Sequence, residues 1–312
     1  MGRPVRVVAV VVAYDRRALL AETLAALGAQ TRPADRLVVV DNASTDGSGH
    51  LVAERAPEAD LVRLTRNTGG AGGFAAGVAR AVDEHAADLV WLMDDDSVPE
   101  PTALAELLAA RDGYPGPAPV VLASRVVWTD GRDHPMNTPR PKPGARAAER
   151  RAAAAVGCLP IRSASFVSVL LDAGTVRERG LPVADYFLWN DDFEYTVRLL
   201  RGRRGLYCPR SVVTHKTRVF GGTDADPGER FYLEVRNKVW VLTRSRGLAP
   251  AERLLYGGAT LRRWARTFAR SGDRATLGRG LLTGLRDGVR RAPRRTEDVL
   301  AEAGLTVHER RP

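Results

Sequence analysis

Three consecutive carboxylates, Asp94-Asp95-Asp96, follow directly on the apolar run Val90-Trp91-Leu92-Met93. Adjacent carboxylates repel one another unless a cation neutralises them. A hard divalent ion, Mn²⁺ or Mg²⁺, favours carboxylate oxygens together with phosphate oxygens. Asp94 and Asp96, two apart in an extended segment, project to the same side. The bland alternative is an exposed acidic turn or a helix start. A second acidic group lies in Trp189-Asn190-Asp191-Asp192-Phe193-Glu194-Tyr195. Asp191, opening a helix, would cap it and complement its dipole. Asp192, a carboxylate beside Trp189 and Phe193, is a candidate general base. His215, within Val213-Thr214-His215-Lys216, is a lone histidine after a predicted strand. Such a residue is by itself more often packed or on the surface than a ligand.

Two further segments carry polar groups at strand ends. Asp41-Asn42-Ala43-Ser44-Thr45-Asp46-Gly47-Ser48 stands between a strand and a helix. It reads as an Asx turn with an N-cap, although Asp41 is also placed to accept hydrogen bonds from a base or ribose. Asn67-Thr68-Gly69-Gly70-Ala71-Gly72-Gly73-Phe74 contains a degenerate dinucleotide fingerprint, Gly70-x-Gly72-x-x-Ala75. That fingerprint belongs after the first strand of a nucleotide-binding half. Here the first strand ends in Tyr14-Asp15, with no glycine. The glycines are therefore read as a loop that approaches a ribose or sugar closely, or that fits a crowded turn.

These groups need a frame, and the spacing of apolar residues predicts one. Val5–Ala13, Leu37–Val40, Leu61–Thr65 and Leu89–Met93 read as buried strands, with helices between them and a further helix at Phe74–His85. Strands alternating with helices imply an α/β fold with a mostly parallel central sheet flanked by helices. In such a sheet ligands sit outside the carboxyl ends of the strands. Those ends carry Tyr14-Asp15, Asp41-Asn42, Arg66-Asn67 and Asp94-Asp95-Asp96. Beyond Pro101 the spacing predicts a helix at Ala103–Arg111, strands at Val120–Val127 and Ser165–Leu171, and a helix at Asp191–Leu200. Thr129–Arg151, rich in Pro, Arg, Gly and Ala, is expected to be a mobile loop over a site or a disordered connection. Near Leu248 the alternation stops and an arginine-rich helical tail begins.

Composition bounds the rest. Hydrophobic residues make up 44% of the 312 residues, enough for a sizeable core. The two cysteines, Cys158 and Cys208, cannot build a disulfide framework or a thiolate cage, which suits a reducing cytoplasm. Val7–Ala13 is at the low end for a signal-peptide core and is followed at once by Tyr14-Asp15-Arg16-Arg17, so a buried first strand is the better reading, and no run is long enough to span a bilayer. The net charge is +10, and between Ala249 and Arg295 twelve arginines face three acids. This tail is read as a solvated helical face or as a surface for anionic lipid or nucleic acid. Leu254, Leu261, Trp264 and Phe268 fall near one helical face, with Arg262, Arg266 and Arg270 on another. Such a helix either lies on an anionic leaflet or packs its apolar stripe on the rest of the protein.

Taken together, Val39-Val40-Asp41-Asn42-Ala43-Ser44, Asn67–Phe74, Trp91–Asp96 and Asn190–Glu194 resemble, in this order and spacing, the family 2 inverting glycosyltransferases of GT-A fold. The likeness runs from Val5 to Leu242 and points towards the galactofuranosyl and rhamnosyl transferases of actinobacterial cell-wall assembly. It implies a catalytic domain over 1–247, binding the nucleotide sugar over about 1–128 and the acceptor over about 157–247, with 248–312 as a helical appendage. It also implies a UDP- or dTDP-sugar donor and a glycan or polyprenyl-linked acceptor at the inner face of the cell membrane. Residue by residue, Asp41 would hold the base and ribose, with Tyr14, Asn67, Gly70 and Asp95 also lining the donor. Asp94 and Asp96 would serve the donor and the metal, His215 would bind the metal, and Asp192, paired with Asp191, would be the base. Where the family usually has Glu-Asp, this chain has Asp-Asp. Two rivals remain at this point: a nucleotidyltransferase acting on sugar phosphates, and a non-catalytic basic protein binding nucleic acid or membrane. The first should show an early glycine- and lysine-rich phosphate loop, absent from Val12-Ala13-Tyr14-Asp15. Nucleic acid is disfavoured because the strand-end carboxylates would repel phosphates.

Overall fold

The computed structural model describes residues 4–220 and 226–307. Among them the strands are β1 (Val7–Ala13), β2 (Arg36–Asp41), β3 (Asp60–Arg63), β4 (Leu89–Asp94), β5 (Ser97–Pro99), β6 (Val121–Val127), β7 (Arg140–Pro141), β8 (Leu159–Ser163), β9 (Val169–Asp172) and β10 (Gly205–His215). The helices are α1 (Arg17–Gly28), α2 (Ser48–Arg55), α3 (Gly69–Asp83), α4 (Ala103–Asp112), α5 (Ala147–Ala155), α6 (Ala173–Arg179), α7 (Asp191–Leu199), α8 (Phe231–Thr243), α9 (Pro250–Arg270), α10 (Arg274–Arg290) and α11 (Thr296–Ala301).

One sheet runs in the order β3-β2-β1-β4-β9-β6-β10-β8-β7, with β5 paired to β10. β1, β2, β3 and β4 pair in parallel, as do β6 and β10. β9 is antiparallel to both β4 and β6 and so joins the two parallel groups. The six strands β1, β2, β3, β4, β6 and β10 therefore point one way, as expected for a mostly parallel sheet. All seven residues of β1 are buried, which is why its sequence is continuously apolar. Val8, Val10 and Val12 enter one core layer with α3, while Val7, Ala9 and Val11 enter the other with α1 and α4. Each such valine contributes about 1.5–3 kcal/mol relative to exposure.

Three expectations are corrected. The glycine segment is not a loop beyond its first two residues, because α3 begins at Gly69. Its glycines serve close packing: a Cβ on Gly73 would come 2.5 Å from Val12 Cγ1, and one on Gly77 would strike Val10. Tertiary contact outweighs poor helix propensity here. Segment 129–151 is neither a mobile loop nor a disordered connection. It contains β7 and the start of α5, bridges Val127 to Asp133, and buries His134 and Asn137. The predicted strand at Ser165–Leu171 is strand only from Val169; Ser168, with φ of 54°, sits in a turn before it.

The arginine-rich tail is tied down. Buried Arg162 of β8 pairs with Glu252 of α9 and donates to the carbonyls of Val197 and Gly247. Gly280, Gly284 and Gly288 form one face of α10 against α8; a Cβ on Gly284 would lie 2.8 Å from Val235 Cβ. α11 returns to the first core layer through Val299 and Leu300, and the turn after it through Ala303. The apolar stripe proposed for α9 divides: Trp264 and Phe268 pack on Phe231, whereas Leu254 and Leu261 are 80% and 65% exposed. No helix among the described residues is long and apolar enough to cross a membrane.

Candidate active site

The parallel register puts polar strand ends at one level. Ala13 lies opposite Asp41, and Val12 opposite Asp94. Asp41 is buried, and one of its carboxylate oxygens accepts the Ser44 N–H at 2.9 Å, which closes the Asx turn. Asn42 bridges to the next crossover: its amide donates to Asn67 Oδ1 and Gly69 O, and its oxygen accepts from Thr68. Asn67 Oδ1 also accepts the Gly69 N–H at 2.7 Å. Tyr14 is 43% exposed at this edge, and a Cβ on Gly70 would meet nothing within 4 Å. Both face open space.

The aspartate triplet splits as its alternation predicts. Asp95 turns inward, accepting the Tyr14 N–H at 2.9 Å and a bond from Arg16 Nη1 at 3.3 Å. Asp94 and Asp96 face His215, and one ligand atom from each of these three residues lies within 4.8 Å of the others. His215 arrives through register: β10 runs antiparallel to β5 with His215 opposite Ser97, and the Lys216 N–H donates to Asp96 O at 2.9 Å.

Whether these residues suit a cation is decided by lone pairs. His215 Nδ1 donates its proton to Asn137 Oδ1 at 2.9 Å, because the Asn137 amide nitrogen is committed to Ser165 Oγ. That leaves the Nε2 lone pair directed towards Asp96 Oδ1, 3.1 Å away. The contact lacks hydrogen-bond alignment, so Asp96 Oδ1 is buried without a donor among the described residues. Two lone pairs facing each other require a proton or a metal between them. The donor set, two carboxylates and an imidazole, suits Mn²⁺ or Mg²⁺. Arg16 supplies further positive charge, its Nη1 2.5 Å from Asp96 Oδ2.

The acidic pair reaches the same place from α7, whose Tyr195 and Leu199 share a core layer with α3. Asp191 and Asp192 open α7. The residues before it are strained, with φ of 61°, 69° and 65° at Phe187, Trp189 and Asn190. Asn237, fully buried on α8, holds this turn by donating to the carbonyls of Tyr186, Leu188 and Trp189, each at 2.9 Å. On its other side Phe187 O lies where a Cβ on Gly69 would stand, so only glycine fits there, at φ of 69°. Glu194 and Arg198 of the same motif pair with each other and brace the helix to Leu181 O and Ser245.

Electrostatics tie the two halves together. Burial, the neighbouring Asp96 and, to a smaller extent, Asp192 push Asp94 up to about 6. Burial also lifts Asp95 to about 7. For Asp96 burial acts upwards, but a proton on His215 Nε2, by its contact and charge, together with the charge of Arg16, outweighs it and holds the group low. Asp191 is pushed well above the carboxylate range by burial, by Asp192 and by Asp94. Burial raises Asp192, against the pull of Phe193 N–H, Arg140 and Lys238. Asp94, Asp191 and Asp192 act on one another's charge, so the two acidic groups lie near one another. The strand register puts Tyr14, Asp41, Asn67 and Gly70 at the same edge as Asp94, with Asp95 and Asn67 committed to bracing it. Sequence reasoning missed Arg16, Asn137, Asn237, Arg140 and Lys238. Only Arg16, next to a polar strand end, carried a local signal.

Known proteins share this architecture. The structure of S. aureus TarS 1–349 in complex with UDP superposes with a TM-score of 0.63, covering 96% of this chain and 83% of that one at 15% identity. GalNAc-T7 with UDP, GalNAc and Mn²⁺ superposes with a TM-score of 0.60, covering 92% of this chain and 55% of that one at 15% identity. The fold is that of the GT-A glycosyltransferases. The chain belongs to glycosyl transferase family 2, whose model matches residues 8–163. It is 34% identical over 278 residues to galactofuranosyltransferase GlfT1 of Mycobacterium tuberculosis (strain ATCC 25618 / H37Rv), covering 80% of this chain and 87% of that protein. The protein is a glycosyltransferase, and the readings as a nucleotidyltransferase or a non-catalytic basic protein fall with that assignment.

Proposed function

We propose that this protein transfers a sugar, with galactofuranose favoured over rhamnose, from a UDP- or dTDP-linked donor to a hydroxyl of a glycan or polyprenyl-linked acceptor, inverting the anomeric configuration. The observation that carries the reading is the cluster of Asp94, Asp96 and His215, one ligand atom of each within 4.8 Å of the others, with the Asp191–Asp192 pair near enough to act on the charge of Asp94. The relatives' activity supports the sugar, and the UDP of the structural neighbours supports the donor.

In this reading Asp41 receives the base and ribose, with Tyr14, Asn67 and Gly70 lining the donor and Asp95 shaping that wall from behind. Asp96, His215 and Asp94 hold Mn²⁺ or Mg²⁺, which when bound supplies Lewis-acid charge for the departing nucleoside diphosphate. Asn137 keeps the Nε2 lone pair of His215 available. Asp192 accepts the proton of the acceptor hydroxyl, and its burial suits a base of raised pKa. Asp191 sets its charge environment. Attack from the face opposite the leaving group inverts the centre in one displacement, as in inverting glycosidases.

Residues 1–247 carry the chemistry, and 248–312 brace it and meet the membrane. Leu254 and Leu261 on α9 and Leu282, Leu285 and Val289 on α10 are exposed among Arg262, Arg266, Arg286 and Arg290. Apolar side chains within a cationic surface complement an anionic leaflet, where a polyprenyl-linked acceptor would reside. Co-sedimentation should be stronger with phosphatidylglycerol than with phosphatidylcholine vesicles and should weaken with salt. Indifference to both would remove the membrane from the reading. Asp192→Asn tests the chemistry: UDP binding with Mn²⁺ is retained while turnover falls ~10²–10⁴-fold. Near wild-type turnover in this variant would take Asp192 out of its role, and a panel of nucleotide sugars scored for hydrolysis identifies the donor.

A further inference from the structure

Beside Asp192 lie two cations that make no ion pair among the described residues, although Glu234 and Asp192 act on Lys238 from a distance. Lys238 on α8 is 4% exposed, and its ammonium has no hydrogen bond or ion pair among the described residues. Its closest recorded company is the Phe193 ring, whose centroid is 4.8 Å from Nζ. Arg140, on the exposed strand β7, approaches the same ring with Cζ 5.4 Å from the centroid, and it too lacks an ion pair. Phe193 follows Asp192 directly, so both cations border the proposed base, and both act on it electrostatically. Glu234, the acid nearest to Lys238 in influence, is already taken by Arg263, by Trp264 Nε1–H and by the Asn190 amide. On the remaining side of Phe193, Tyr256 of α9 packs edge-on at 5.1 Å, its hydroxyl buried without a partner.

A buried ammonium is costly unless something pairs with it. If Lys238 existed only to keep Asp192 ionised, the two would be expected to pair, yet they stand beyond ion-pair distance. Burial draws Lys238 down to about 8. A group in that condition is completed by an anion that arrives from outside. Two cations from separate elements, each beside Phe193 and near enough that Arg140 acts on the charge of Lys238, suit a tetrahedral oxyanion with oxygens in several directions.

We propose that Lys238 and Arg140 form an anion subsite on the acceptor side of Asp192, which holds a phosphate group of the acceptor close to the hydroxyl that Asp192 deprotonates. This rests on the function proposed above, in which Asp192 faces the acceptor. The phosphate belongs to a phosphate-bearing acceptor and not to the donor diphosphate, whose place lies with Asp94, Asp96 and His215. Substrate selection then combines a sugar hydroxyl at Asp192 with a phosphate a short distance away.

The test uses the full chain saturated with UDP and Mg²⁺ and titrated with glucose 1-phosphate, followed by phosphorus NMR. Methyl glucoside is the uncharged control. Glucose 1-phosphate should bind without displacing UDP. Lys238→Met should weaken it roughly ten- to a hundredfold and Arg140→Gln to a smaller degree, the loss of charged hydrogen bonds. UDP affinity and the methyl glucoside control should stay unchanged. Arg140 is exposed, so its variant carries the test even if Lys238→Met fails to fold. The proposal is overturned if wild type does not bind glucose 1-phosphate, if binding competes with UDP, or if Arg140→Gln binds it as wild type does. Failure of UDP binding would instead strike the function proposed above, and the unliganded protein then decides the subsite by the same variants.

Discussion

Two acidic groups meet in this cleft, and the protein holds them in different ways. Asp41 and Asp94 end regular parallel strands at one level, so their placement follows from the ladder that builds the core. Asp191 and Asp192 follow a turn with three non-glycine residues at positive φ, each costing about 1–3 kcal/mol. That turn persists because Asn237 satisfies three of its carbonyls and Gly69 leaves room for Phe187 O. The donor edge is secured by the sheet itself. The base is secured by a helix some fifty residues away in the chain, and its position answers to contacts that do no other work in the core.

This contrast can be broken experimentally. The largest effect is expected from Asp96→Ala, which removes a metal ligand. Turnover should fall by about 10³-fold or more, and Mn²⁺-dependent UDP binding, read by calorimetry, should disappear. Asp192→Asn should leave that binding in place. If both variants lose UDP equally, the two sides are not separable. Asn237→Ala comes next. It takes the amide donor from the carbonyls of Leu188 and Trp189, while Tyr186 O keeps Arg236 and the Leu188 N–H, and urea unfolding should show a loss of roughly 1–3 kcal/mol. In the protein that remains folded, turnover should drop more than UDP affinity, since the strained turn carries the base and not the donor; equal losses would erase the distinction.

A smaller effect is expected in the pH dependence of stability. Lys238 falls from its ordinary 10.5 to about 8 through burial. The unfolded chain therefore binds more protons between about pH 8 and 10.5, and over that window wild type gains stability relative to Lys238→Met. The gain should be at most about 3 kcal/mol, read from urea midpoints at pH 7.5 and pH 10. A flat difference would mean that the ammonium is better solvated than its burial implies. The smallest effect belongs to the tail. Leu254→Ser with Leu282→Ser should reduce partition onto phosphatidylglycerol vesicles while leaving turnover on a soluble acceptor within about twofold, because exposed side chains contribute little to the fold.

Much of the donor side was legible beforehand. β1, β2 and β4 announce themselves as β-branched runs, and Asp41 and Asp94 stand where those runs end, so a period and its termination locate them. The glycines of α3 misled because a glycine-rich segment reads as a loop until a strand is seen pressing on it, as Val10 and Val12 do. Segment 129–151 misled for a related reason: its composition suggests mobility, yet Asn137 is fixed by Ser165 and His215, partners remote in the chain. The tail stripe was half right. Trp264 and Phe268 found Phe231, while Leu254 and Leu261 stayed largely exposed.

Sequence alone determined the alternating elements, the polar strand ends and the family pattern, because each is written in residues that neighbour one another or repeat with a local period. Tertiary structure alone decided that His215 lies against Asp96, that Asp192 faces Asp94, and that Lys238 and Arg140 close around Phe193. Those meetings depend on the register of β10 on β5, on a strained turn held from another helix, and on the return of the chain through α8. Such closures are set by which long-range contacts offset the entropy of the chain between them, and no local pattern records that choice.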